Sequence, residues 1–154
     1  DEGHLLDPDF QRAALSYREE RLLRSAATRI RARLDDGVDS FEAVMECQDH
    51  LVSLARAHVE RVVLEGLQEA VVRAPTPGLS EVLAAAAALY ALSALERDRG
   101  WFLESGYLEA AQARAIRTRV GALCSDVREH AALLVEGFGI PDALLPEIAR
   151  SGLQ

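Results

Sequence analysis

The side chains most suited to metal or nucleophilic chemistry are four histidines, His4, His50, His58 and His130, and two cysteines, Cys47 and Cys124. A carboxylate-bridged di-iron centre in a helical bundle needs Glu-x-x-His on two helices, because residues three apart project inward together. The residues three before His50, His58 and His130 are Cys47, Ala55 and Val127, so that motif is missing. Cys47-x-x-His50 sets a thiol and an imidazole one helical turn apart, a spacing that can share a zinc ion. Four ligands are needed, and Cys124 and His130, six residues apart, do not complete the set on one straight helix. No metal site is therefore expected. A Cys–His nucleophile needs an open, electropositive setting; both cysteines fall in apolar helical patterns and read as small buried thiols. No Gly-x-Gly-x-x-Gly or P-loop occurs, and Gly137-x-Gly139 reads as a helix stop. No catalytic residue is expected.

The elements that would position these residues are all helical. Hydrophobic residues make up 49% of the chain and aromatics only 5%, the difference being alanine and leucine, as in the run Ala84 to Ala88. These are the strongest helix formers. Asp7-Pro8 opens a first helix, with Phe10, Ala14, Tyr17, Ala26, Ile30 and Leu34 near one face, and Asp35-Asp36-Gly37 stops it. Asp39 or Ser40 caps a second. Its regular stripe of Phe41, Val44, Met45, Leu51, Ala55, Val59, Val62, Val63 and Leu67 predicts one long helix facing a core, ended by Ala74-Pro75-Thr76-Pro77-Gly78. Ser80 is placed to cap a third, apolar on nearly every side, which Arg97-Asp98-Arg99-Gly100 breaks. A short connector follows, with glycine at both ends, which Trp101 and Phe102 are expected to anchor. A fourth helix from Glu109 or Ala110 carries Ile116, Val120, Leu123, Cys124, Val127, Ala131, Leu134 and Val135 to the stop at Gly137. A last short helix is expected near Asp142 to Ala149. The prediction is one all-α domain over residues 1–154: four main helices and a short C-terminal one.

There are 25 acids against 17 bases, and every base is arginine. The acidic excess argues against nucleic acid and against an anionic membrane surface, both of which need a basic stripe. No apolar stretch reads as long enough to span a bilayer. Acids interleave with the arginines of the first helix, which predicts a solvated, ion-paired face or a contact with a partner. Arg18, Arg21, His50 and His58 are expected to make polar contacts across helices or to such a partner. Asp1 and Glu2 have the wrong charge for a signal peptide, and Ser151 to Gln154 is not a peroxisomal address. With the all-arginine usage, these predict a bacterial cytoplasmic protein.

Four segments in order carry a resemblance. They are Asp7-Pro8-Asp9-Phe10-Gln11 with Tyr17-Arg18-Glu19-Glu20-Arg21-Leu22-Leu23; Cys47-Gln48-Asp49-His50-Leu51 leading into Ala57-His58-Val59-Glu60-Arg61; Leu89-Tyr90-Ala91-Leu92-Ser93 with Gly100-Trp101-Phe102-Leu103; and Gly137-Phe138-Gly139-Ile140-Pro141-Asp142. Together they resemble the C-terminal helical domain of the acyl-CoA oxidases, within the acyl-CoA dehydrogenase superfamily. The resemblance implies a piece, excised or separately encoded, of a larger FAD-dependent enzyme. Such enzymes are usually homodimers and oxidise an acyl-CoA to the trans-2-enoyl-CoA. The catalytic glutamate and most of the flavin contacts lie in preceding domains of the same or a partner chain. No catalytic or flavin residue is carried over, and no cofactor is expected on this segment alone. Two rivals stand beside this reading: a standalone helical interaction module and a small metal enzyme in a bundle.

Overall fold

The computed structural model describes residues 2–141 and 144. The described residues form helices only: α1 (Glu2–Leu5), α2 (Pro8–Asp35), α3 (Ser40–Glu46), α4 (Gln48–Arg73), α5 (Pro77–Arg97), α6 (Arg99–Glu104), α7 (Ala110–Arg128) and α8 (Ala131–Gly137). The four long ones, α2, α4, α5 and α7, are the bundle. Each of α4 and α5 packs on the long helix before it, α7 packs on α5, and α2 also meets α5. α2 and α4 run antiparallel: Gln68 donates to the carbonyl of Pro8, and further along α2 Arg18 pairs with Glu60, earlier in α4.

Punctuation explains the ends that the sequence marks. The Asp7 side chain accepts from the Asp9 N–H, Pro8 occupies the first turn of α2, and Gly37 turns left-handed at φ 83° behind its C-terminus. Glu109 and Gln112 form a reciprocal capping box that starts α7.

The expected second helix is two. It breaks at Cys47, whose φ of −98° and ψ of 7° leave the helical basin, and Cys47 is buried at the joint. Neither proline nor glycine stands there, so the apolar period runs through the break unmarked. Thr76, not Ser80, caps α5, its hydroxyl accepting from the Leu79 N–H ahead of Pro77 at N1; the Ser80 hydroxyl instead donates to the Val71 carbonyl in α4. The break expected over Arg97 to Gly100 shrinks to Asp98 alone, and the connector is helix α6. Gly106 takes the left-handed conformation, φ 71°, while Gly100 is helical. The expected fourth helix also divides, at Glu129 and His130. The short helix expected from Asp142 to Ala149 lies outside the described residues.

α5 is the central element. Leu92, Leu95 and Ala88 join Leu5, Ala14, Phe102, Leu108, Ile116 and Leu123 on one side, and Ala87, Ala91 and Ala94 join Leu15 and Leu64 on the other. Contrary to the sequence reading, α5 is long and apolar enough, by length and composition, to cross a membrane. In this bundle it is a core helix, packed on α4, α7 and α2. A second correction concerns the thiols: Cys47 is buried, but Cys124 is exposed.

The third correction is the face of α4. Much of the stripe expected to face the core lies outward: Val59, Val62 and Val63 are exposed, as are Phe41, Val44 and Met45 of α3, and only Leu67 of the stripe packs against the core cluster. The opposite face is inward and carries Ala57, Glu60 and Leu64.

Candidate functional site

Two polar side chains on α2, Gln11 and Arg18, sit at buried positions among Ala14 and Leu15. Gln11 donates to the Leu5 carbonyl at 3.1 Å and ties α1 down. The Arg18 guanidinium reaches Glu60 of α4 at 2.9 Å and Asp98, between α5 and α6, at 3.0 Å. Glu60 also receives Arg56 at 2.9 Å and Arg97. Both Arg18 and Glu60 are nearly enclosed, so each charge depends on the other for what water would have supplied. The hub fastens α2, α4 and the α5–α6 junction at one point. Beside it, burial and the Glu60 charge raise the Tyr90 hydroxyl above its ordinary pKa, with Arg97 opposing.

At the next residue of α2, Glu19 accepts from His58 Nδ1 at 2.8 Å and from Arg61, and Arg61 Nη1 reaches both oxygens of Glu65 at 2.8 Å. Burial pushes the Glu19 carboxyl up, but the hydrogen bonds and charges of Arg61 and His58 together outweigh it and hold Glu19 below the ordinary carboxylate value. A depressed folded pKa contributes stability that is fully present above the unfolded value and is lost as pH falls through the folded one. Glu19→Gln is therefore expected to flatten the acid limb of a plot of Tm against pH, while leaving its neutral end lowered. Parallel acid limbs for the two proteins would refute this.

Aromatic rings pack at the end of α6. Trp101 meets Phe102 edge-on at 5.1 Å, Tyr17 lies 4.5 Å from Tyr107, and the Tyr17 hydroxyl donates to the Ser105 carbonyl. Phe102 is fully buried and Trp101 half-buried. Arg21 lies over the Tyr17 ring at 5.9 Å. A cleft of about 830 Å³ opens between α2, α4 and α6, lined in part by Arg21, Arg29, His50, Ser53 and Trp101. It offers guanidinium donors, the His50 imidazole, the carboxylates of Asp49 and Glu104 and an indole face. A second opening of about 580 Å³, between the start of α2 and the end of α4, touches none of the residues singled out from the sequence.

The structure thus separates the six sequence-predicted residues. Arg18 and His58 make polar contacts across α2 and α4. Arg21, His50 and Trp101 line one cleft, and Phe102 anchors the connector from inside the core. The cross-helix partners Glu19, Glu60, Arg61 and Asp98 were not foreseen. The available signal was the position of Glu60 between Ala57 and Leu64, the i, i+3, i+7 spacing of a second, shorter inward face. Cys47 and His50 of the Cys-x-x-His pattern do not converge with other ligands: among the described residues no three His, Cys, Asp or Glu side chains are grouped to hold a metal ion.

The fold is an all-helical bundle of the acyl-CoA dehydrogenase C-terminal type, whose buried charges join helices to one another. The chain belongs to the acyl-CoA oxidase family, whose model matches residues 7–146. It is 37% identical over 141 residues to the peroxisomal acyl-coenzyme A oxidase 2 of Arabidopsis thaliana, covering 92% of this chain and 20% of that protein. It is 34% identical over 143 residues to peroxisomal acyl-coenzyme A oxidase 3 of Homo sapiens, covering 91% of this chain and 20% of that one. Acyl-CoA oxidase 1 of Yarrowia lipolytica superposes on 91% of this chain with a TM-score of 0.80 at 24% identity, and shows the same fold over 20% of its own length. The chain thus spans about one fifth of these relatives. The expectation of a bacterial cytoplasmic protein is overturned by them: the plant and human relatives are named as peroxisomal.

Proposed function

We propose that this chain is the C-terminal helical domain of an FAD-dependent acyl-CoA oxidase or dehydrogenase, an enzyme that converts acyl-CoA to trans-2-enoyl-CoA. Its part is structural: it packs against the preceding flavin-binding domains and helps set the geometry of a homodimer. The observation that carries this reading is the Arg18–Glu60–Asp98 hub, where the buried charges join helices to one another and so hold the packing of the domain. The family match over one fifth of each relative supports it.

The sequence holds no Gly-x-Gly-x-x-Gly segment to cradle a pyrophosphate, and no flavin contact is assigned to this chain. Gly139, at φ 58°, ends α8 instead. The flavin and the glutamate that takes the substrate's α-proton belong to the preceding domains, and no step is assigned to residues of this chain.

The pure chain is expected to release no hydrogen peroxide from saturated acyl-CoAs and to be colourless. The same sequence captured gently from its own cells is expected to carry a flavin absorbance band and a larger species. Turnover by the pure chain overturns the reading. A colourless lone chain from cells favours the second reading, a standalone interaction module, for which the exposed apolar face of α4 is the specific observation.

A further inference from the structure

No further inference is drawn: the strongest candidate, the outward apolar face of α4 over Val59, Val62 and Val63 with Phe41 and Met45 of α3 beside it, carries nothing because nothing in the structure shows what covers it.

Discussion

Replacing Glu60 by alanine is expected to destabilise the domain by about 3–5 kcal/mol, the usual cost of stranding one half of a buried ion pair. Arg18 would keep its nearly enclosed positive charge and lose its shortest partner on α4, with only Asp98 still in reach. Arg56 and Arg97 would lose the same carboxylate. For a domain of this length the loss corresponds to a fall in Tm of about 6–20 °C. Thermal unfolding followed by circular dichroism reads it directly. The control is the double change Arg18→Met with Glu60→Leu. Apolar groups of similar volume often replace a buried pair at no net cost, so this variant is expected to lie much closer to the parent than Glu60→Ala. A Glu60→Ala protein within about 1 kcal/mol of the parent would show that the hub is solvated in solution, and would remove the observation on which its structural role rests.

Phe102→Ala is expected to cost a similar amount, about 3–5 kcal/mol. The ring is completely buried between Trp101 and Tyr107, and the backbone at the same residue is a junction: its carbonyl accepts from Tyr107 and Leu108 at 3.0 and 3.2 Å and from the Ser105 hydroxyl. Removing the ring opens a cavity under the α6–α7 turn and withdraws the edge-on contact from the chain's single tryptophan. Urea unfolding gives the size of the effect. Tryptophan emission gives its place, with a red shift of the folded baseline expected before the global transition. Trp101→Ala, at a half-buried position, should cost clearly less. Equal losses for the two would mean that the aromatic cluster acts through area alone and that Phe102 is not its anchor.

The parts of this fold that were legible in the sequence are those carrying backbone chemistry. Asp7-Pro8, Gly37, Pro75 to Pro77 and Glu109 each fix a dihedral or supply a cap, and the helices begin or end beside them. The joints at Cys47 and Glu129 have no such residue, so the apolar period runs across them and two helices read as one. At Asp98 the sequence does mark a break, through Gly100, but α6 resumes at once, and the one residue outside the helix is the one whose carboxylate meets Arg18. The face of α4 was misread for a related cause. Four valines outweigh Ala57 and Leu64 in any count of hydrophobicity, but the inward face is settled by Glu60, whose burial is favourable only because Arg18, Arg56 and Arg97 converge on it. A pattern of apolar residues cannot register a charge that is buried because it is paired. Arg18 was named as one of the arginines of the first helix and of the family-like segment Tyr17 to Leu23; its partners were not, because Glu19, Glu60 and Arg61 look like ordinary solvent-facing residues of a charged helix.

The order of synthesis gives the central position of α5 a further consequence. The ribosome completes α5 at Arg97, and α7, which covers one of its flanks, ends 31 residues later at Arg128. At about 5–20 residues per second that interval is roughly 2–6 s. During it the nascent chain holds a 21-residue, alanine- and leucine-rich helix with α2 and α4 available on one side and water on the other. The helix that later holds the folded domain together is, for those seconds, its most aggregation-prone segment.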